Sequence, residues 1–183
     1  VTTTSPRPTT TIPIEVSSAV VVAARLRPFG TTVFTEMTRL ANEHGAINLS
    51  QGFPDFEGPK EIVDAVVDAL RSGHNQYARS QGALPLVQAI AQQKKALFDL
   101  DYDPLTEVVV FSGATEGLTA AMIGLLDPGD EVVLFEPVYD SYPAAIAMAG
   151  AVPRYATLKF PDFALDLDHL RSLFSKKTKL LVL

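Results

Sequence analysis

The chain of 183 residues is 47% hydrophobic, which is enough to bury a core, and its length corresponds to about one domain of ~150 residues. Its net charge of −6 argues against a nucleic-acid partner, because such a partner requires a basic protein face. The sequence contains no cysteine and its three histidines lie far apart, so disulfides, thiolate nucleophiles and a metal site are not predicted.

The first residues are rich in threonine and proline, a composition that cannot bury a core of its own. We therefore predict a disordered tail over residues 1–24. The apolar run at 19–24 is shorter than the ~20 residues needed to span a bilayer. Glu15 precedes that run and Arg7 is the one basic residue in 1–18, which argues against a targeting peptide. We expect a cytoplasmic protein with no membrane contact.

Three amphipathic helices are predicted in the first half of the chain. The first covers residues 25–44 and ends at Gly45, the second begins at Pro59, and the third covers 86–98. A short strand followed by a turn-rich aromatic loop is predicted at 47–59. The apolar side chains are Val33, Met37 and Leu40 on one stripe of the first helix, Ile62, Val63, Val66, Val67 and Leu70 on the predicted buried face of the second, and Leu86, Ile90 and Leu97 on one side of the third.

From residue 107 onward, apolar strands alternate with amphipathic helices. This alternation is typical of a parallel sheet covered by helices. The chain ends inside an apolar strand, so we expect it to be the N-terminal part of a longer protein. The predicted strands are 107–111, 131–135, 152–158 and 178–183, and the predicted helices are 115–126, 140–149 and 166–174.

A turn of small residues separates the first of these strands from the helix at 115–126. The first N–H groups of a helix lack partners within the helix and carry positive potential, so such a turn is suited to a phosphate. It contains neither a P-loop nor a dinucleotide-binding pattern. On local chemistry alone, a simple helix cap is an equally good interpretation. The turn consists of Ser112, Gly113, Ala114 and Thr115.

A second candidate segment follows the predicted strand at 131–135. Ligands of open α/β sheets bind beyond the carboxyl ends of the strands, so this segment and the turn at 112–115 are expected at the same edge. Pro137 holds the backbone extended there. Tyr139 can lay its ring beside a planar ligand, a contact that contributes ~0.5–1.5 kcal/mol beyond burial. Without the neighbouring turn, Tyr139 would be interpreted as a core or rim aromatic.

Five segments of the sequence form a recognisable series: INLSQGFPDF (47–56), NQYARSQGALPL (75–86), SGATEGL (112–118), DPGDEVVLFEPVYDSY (127–142) and TKLLVL (178–183). Together they resemble the first half of a class I/II aminotransferase with the fold type I pyridoxal-phosphate architecture. They occur in that family's order and spacing over about residues 25–183. The greatest similarity is to the subgroup of kynurenine/glutamine transaminases and bacterial N-succinyldiaminopimelate aminotransferase.

This resemblance implies an α/β fold in two parts. Residues 25–58 would contribute to the small domain and the substrate loop. Residues 59–183 would form the first half of the large, mostly parallel domain that binds pyridoxal 5′-phosphate, incomplete at its C-terminus. The implied activity is transamination of an amino acid with a 2-oxo acid, as part of amino acid metabolism and biosynthesis.

The resemblance also implies which residues hold the cofactor. Gly113, Ala114 and Thr115 match the turn that binds its phosphate, and Tyr139 matches the aromatic residue that stacks on its ring. Tyr77 matches a tyrosine that reaches across a homodimer interface toward the neighbouring subunit's phosphate.

Two further matches concern the substrate and the catalytic lysine. Gly52 and Phe53 match the loop beside the substrate carboxylate. The family holds the cofactor aldehyde as a Schiff base on a lysine that also moves the proton. None of the lysines in this chain matches that lysine, so we expect it beyond Leu183 and expect the chain alone to be inactive.

Two other interpretations are compatible with parts of the sequence. Residues 113–117 read as a G-x-T-x-G variant of the α/β-hydrolase nucleophile elbow, with Thr115 as the nucleophile. That site also needs a later acid and histidine, and only His169 follows. The second is a non-catalytic remnant or dimerisation module, although an exposed apolar edge strand argues against independent stability.

Overall fold

The computed structural model describes residues 22–52, 54 and 56–183. Residues 1–21 of the predicted tail lie outside this description. In the described ranges the chain forms one short 3-10 helix, six α-helices and three strands. The 3-10 helix is Ala24–Leu26, the α-helices are α1 (Val33–His44), α2 (Lys60–Arg71), α3 (Leu84–Phe98), α4 (Ala114–Leu125), α5 (Ser141–Met148) and α6 (Leu167–Ser172), and the strands are β1 (Glu131–Glu136), β2 (Val152–Thr157) and β3 (Thr178–Leu181).

The three strands form a parallel sheet in the order β2-β1-β3. Glu131 at the start of β1 lies opposite Val152 of β2 and Thr178 of β3. The interior of β1 is an apolar run whose side chains are fully buried, as expected for a parallel strand covered on both faces. The predicted parallel α/β architecture is therefore confirmed for these strands and the helices between them.

One hydrophobic cluster holds α4 and α5 against β1. Val132 and Leu134 share a face of β1 because side chains alternate along a strand. Met122 of α4 and Ile146 of α5 belong to the same buried cluster. Each fully buried large apolar side chain contributes about 1.5–3 kcal/mol. The cluster therefore holds α4 in place relative to the loop that leaves β1.

The first helix is shorter than the sequence predicts, because α1 begins at Val33 rather than at residue 25. Pro28 and Gly30 interrupt the pattern, and the Thr32 hydroxyl accepts a hydrogen bond from the Thr35 N–H at 3.2 Å to cap the new start. The predicted end is confirmed: Gly45 closes α1 in the left-handed region, at φ 60°.

Two predicted strands are wrong. Residues 47–52 form no strand, and residues 107–111 also lie outside the sheet. Along 108–111, one backbone hydrogen bond reaches another segment in the described ranges, from Val110 N–H to the Gln81 carbonyl at 3.0 Å. Phe111 is 42% exposed, so this segment is not buried on both faces either. A strand requires a neighbour for its backbone groups, and an apolar sequence alone does not supply one.

The predicted buried face of α2 is also wrong, and two of the three residues on the apolar side predicted for α3 are exposed. Ile62 and Leu70 of α2 are more than half exposed, and Leu86 and Leu97 of α3 are 47% and 65% exposed. The buried side chains of α3 are instead Val87 and Ala91. The amphipathic pattern determined that these segments are helical, but burial depends on which element packs against each face. The remaining α2 residues of the predicted face are Val63 and Val66, both exposed, and Val67, half-buried.

A buried carboxylate connects β1 to both of its neighbours. Glu131 is 6% exposed and accepts hydrogen bonds from Arg154 of β2 and from the Ser175 hydroxyl, at 2.7 Å, just before β3. Arg154 and then Ser175 hold the pKa of Glu131 below its usual value, against the opposing effect of burial. The ionised form of Glu131 therefore favours the folded sheet.

We expect Glu131→Gln to weaken the dependence of stability on acid pH. Because the pKa of Glu131 is lower in the folded chain, its contribution is fully present above about pH 4.5 and is lost as the pH falls through the lowered value. Urea unfolding at a series of pH values from neutral to acid measures this. Equal losses of unfolding free energy in the variant and the parent chain would contradict the assignment.

Candidate functional site

The turn before α4 has the geometry of an open helix N-terminus. Gly113 is the N-cap residue at φ 99° and ψ 157°, a conformation that side-chain-bearing residues rarely adopt. As a glycine, Gly113 has no side chain with which to cap α4. In the described ranges, no protein carbonyl accepts a hydrogen bond from the N–H of Ala114 or Thr115. These N–H groups are therefore free to bind a ligand anion.

A carboxylate lies beside the same turn. Glu116, in the first turn of α4, accepts a hydrogen bond from the Ser112 N–H through its Oε2 atom at 2.6 Å. The hydroxyl groups of Ser112 and Thr115 make no hydrogen bond to the described part of the chain. Both hydroxyls are exposed and can donate to a bound group.

Tyr139 lies in the loop that follows β1, and the residue is 52% exposed. The bond between Glu136 and Pro137 in this loop is a cis peptide. The rings of Phe34 and Tyr142 flank Tyr139, with centroids at 6.3 and 5.7 Å from the Tyr139 centroid. Such tilted and edge-to-face contacts restrict the orientation of the ring while leaving part of it accessible.

The turn and the loop are expected at the same end of the α4–β1 layer. The chain turns at 127–130 between α4 and β1, which places the start of α4 and the end of β1 on the same side if the two elements run antiparallel. The two elements also match in length, since 12 helical residues rise about 18 Å and six strand residues about 20 Å. Leu118 of α4 packs against the same cluster as Val138 and Tyr142 of the loop.

A pocket of about 430 Å³ lies against Tyr139. It brings α1 and the loop at residue 51 to the ring of Tyr139. Sequence reasoning missed the contribution of α1, although Phe34 is an aromatic residue directly beside the predicted apolar stripe of that helix. The lining consists of Thr32, Phe34, Thr35, Thr38, Gln51, Tyr139 and Asp140.

None of the other predicted site residues lines this pocket, and this includes Gly113, Ala114 and Thr115 of the turn before α4. Gly52 follows Gln51 and is exposed, and Phe53 lies outside the described residues. Tyr77 is fully exposed, with no protein around its ring. Its predicted contact with a second subunit stays a prediction. Among the described residues no cluster of potential metal ligands occurs, and no helix is long and apolar enough to cross a membrane.

The hydrolase interpretation lacks its partner residue. The Nε2 atom of His169 lies 3.3 Å from the Tyr155 carbonyl oxygen, and the described chain contains no hydrogen bond between a histidine and Thr115. Among the described residues Thr115 thus has no histidine beside it to act as the base that nucleophilic catalysis requires. The interpretation as a non-catalytic module stays a hypothesis.

The family model for aminotransferase class I and II matches residues 44–183. The chain belongs to this family. The matched range includes the turn before α4 and all three strands. Class I and II aminotransferases depend on pyridoxal 5′-phosphate and have the fold type I architecture, of which this chain is an N-terminal part.

Known aminotransferases resemble the chain in fold and in sequence. N-succinyldiaminopimelate aminotransferase from Mycobacterium tuberculosis is 50% identical, with a TM-score of 0.82 over 88% of this chain and 42% of that one. The methionine aminotransferase of Escherichia coli is 42% identical over 160 residues, covering 87% of this chain and 42% of the relative. The kynurenine–oxoglutarate transaminase of Dictyostelium discoideum is 37% identical, over 85% and 39%. The chain thus spans about two-fifths of the length of these aminotransferases.

Proposed function

We propose that the chain supplies the phosphate-binding turn and the ring-stacking residue of an aminotransferase that moves an amino group from an amino acid to a 2-oxo acid. The observation that carries the proposal is the uncapped start of α4, whose N–H groups at Ala114 and Thr115 have no protein acceptor in the described ranges. This turn lies within the range that the family model matches. The relatives are named for different amino acid donors, and the proposal does not select one of them.

The residues present fit the phosphate of pyridoxal 5′-phosphate. Three backbone N–H groups, from Gly113 to Thr115, and the Thr115 hydroxyl can donate to its oxygens, and the helix dipole of α4 adds to the attraction. The position of Gly113 is open, since a Cβ there would meet no atom within 4 Å. The backbone can therefore approach a bulky anion without steric conflict.

The half-exposed ring of Tyr139 fits the flat face of the cofactor ring. Phe34 and Tyr142 hold its orientation, so little rotational freedom would be lost on stacking. When bound, the cofactor serves as an electron acceptor for the amino acid as its α-proton leaves. Tyr139 orients the cofactor and excludes water from one side, and Gly52 and Phe53 are proposed to contact the substrate carboxylate.

We assign the catalytic lysine to a position outside this chain, so cofactor binding rather than turnover is the property to measure here. Lys95 pairs with Asp99 at 2.9 Å and Lys159 with Asp166 at 3.8 Å, both at the surface. We also propose that Tyr77 contacts the second subunit of a homodimer and that the complete enzyme is cytoplasmic. The lysines of the chain are Lys60, Lys94, Lys95, Lys159, Lys176, Lys177 and Lys179.

Calorimetric titration with 4-deoxypyridoxine 5′-phosphate and with 4-deoxypyridoxine tests the proposal. Neither probe has the aldehyde, so neither reacts with surface lysines. We expect the phosphorylated probe to bind about a hundredfold more tightly, because two or more charge-assisted hydrogen bonds contribute ~1.5–3 kcal/mol each. Equal affinities for the two probes would overturn the proposed phosphate site.

Two variants separate the phosphate from the ring. Thr115→Val should weaken binding of the phosphorylated probe about tenfold, because it removes one hydroxyl donor, and should leave binding of the unphosphorylated probe unchanged. Tyr139→Ala should weaken binding of both probes about fivefold and leave the ratio of the two affinities unchanged, because stacking does not involve the phosphate. Tyr102→Ala, a partly exposed tyrosine near α3, is the matched control and should change neither affinity.

A further inference from the structure

The Glu116 carboxylate contacts the opposite end of the turn at 112–115, the proposed phosphate turn. Its Oε2 atom accepts the Ser112 N–H at 2.6 Å, and this bond spans the whole turn from its first residue to the first turn of α4. The bond uses a backbone group that precedes Gly113. It therefore leaves the N–H groups of Ala114 and Thr115 available to a ligand.

The turn needs such a bond because little else holds it. Gly113 has the largest conformational freedom of any residue type, and no atom lies within 4 Å of the position of a Cβ there. No side chain caps the helix start. The hydrogen bond from Ser112 to Glu116 closes a ring around Gly113, and the φ of 99° is observed inside that ring.

We infer that Glu116 is a positioning residue that holds the turn at 112–115 in the conformation that binds the cofactor phosphate. The inference rests on the proposed function of this turn. A ligand that binds only one conformation loses apparent affinity in proportion to the fraction of chains outside it. Glu116 raises that affinity by keeping the turn ordered, although it does not touch the phosphate.

A role for Glu116 in weakening phosphate binding would also have a clear physical basis, and it would give a different experimental result. A carboxylate one helical turn from a phosphate repels it, and a carboxylate bonded to Ala114 or Thr115 would compete with it for the same donors. The observed bond to Ser112 avoids that competition. Only the repulsion remains, and glutamine removes it while keeping an oxygen acceptor in place.

Titrations of Glu116→Ala and Glu116→Gln with the two deoxypyridoxine probes test the inference. We expect Glu116→Ala to weaken binding of the phosphorylated probe about fivefold, which is the typical effect of losing a hydrogen bond at a helix N-terminus. Binding of the unphosphorylated probe should not change. Glu116→Gln should restore binding to the parent affinity or better. Glu107→Ala is the matched control, because Glu107 makes the same type of bond to the Asp103 N–H at 2.8 Å, outside the turn.

The outcomes separate this inference from the function on which it rests. If the parent chain does not prefer the phosphorylated probe, the proposed function fails. If the parent chain prefers it and Glu116→Ala binds as tightly or more tightly, the positioning role is wrong. Glu116→Gln binding as weakly as Glu116→Ala would also refute it, since the retained acceptor would then have no effect.

Discussion

Replacing Leu134 by alanine is expected to lower the free energy of unfolding by about 2–5 kcal/mol. Leu134 is fully buried in the middle of β1 and belongs to the cluster that joins Met122 of α4 to Ile146 of α5. The substitution removes apolar contacts and leaves a cavity between the sheet and both helices. Urea unfolding followed by circular dichroism measures the loss as a lower midpoint at an unchanged slope.

The matched control for this prediction is Leu125→Ala, the same chemical change at a side chain 63% exposed at the end of α4. An exposed leucine has little packing to lose, so this variant should change stability by about 0.5 kcal/mol or less. Equal losses in the two variants would show that β1 is not the centre of the core.

Gly82→Ala is expected to lower the free energy of unfolding by about 2–4 kcal/mol, through backbone strain and overpacking together. Gly82 has φ 114°, and a Cβ there would lie 2.8 Å from Val110 Cγ2 and 3.0 Å from Val110 Cβ. The residue before Gly82 accepts the Val110 N–H, so the same contact holds the segment that leads into the phosphate turn. The variant should therefore also weaken binding of the phosphorylated probe.

Gly124→Ala provides a control of opposite sign. Gly124 lies inside α4, has no positive φ and has no atom within 4 Å of a Cβ position. Alanine should stabilise the helix there by up to about 1 kcal/mol, because glycine is a poor helix former. If both variants were neutral in urea unfolding, the close approach of Gly82 to Val110 would be contradicted.

Both predictions concern how the site is supported rather than the site itself. Leu134 holds β1, whose end leads to Tyr139, while Gly82 holds the segment that leads to Gly113. A binding site on rigid elements keeps its donors in place without further ordering, so we expect the core and the close glycine contact both to contribute to the affinity of the proposed site. Loss of either support should lower affinity and stability together, whereas loss of Thr115 should lower affinity alone.

Several elements could be predicted because their causes are local. The end of α1 at Gly45 follows from a glycine in the left-handed region, and α4 follows from an apolar stripe after a turn of small residues. The turn of small residues at 112–115 is also local, since its residue types lie consecutively in the chain. For the same reason, the five family-like segments could be recognised from the amino-acid sequence alone.

Other features depend on neighbours that are distant in the sequence. The apolar residues 108–111 suit a strand, yet Val110 makes one backbone hydrogen bond to the segment at residue 81 and joins no sheet strand. The stripe on α2 suits a buried face, yet Ile62 is 62% exposed. Phe34 beside Tyr139 was missed because 105 positions separate the two residues in the sequence.

The sequence by itself determined the family, the helical segments and the parallel strands at β1, β2 and β3, because periodicity, capping and consecutive motifs are properties of neighbouring residues. Only the tertiary structure decided which apolar faces are buried, which extended segments find strand partners, and which rings flank Tyr139. These depend on the positions of remote segments, where one hydrogen bond or one packed side chain selects among arrangements that the local sequence allows equally.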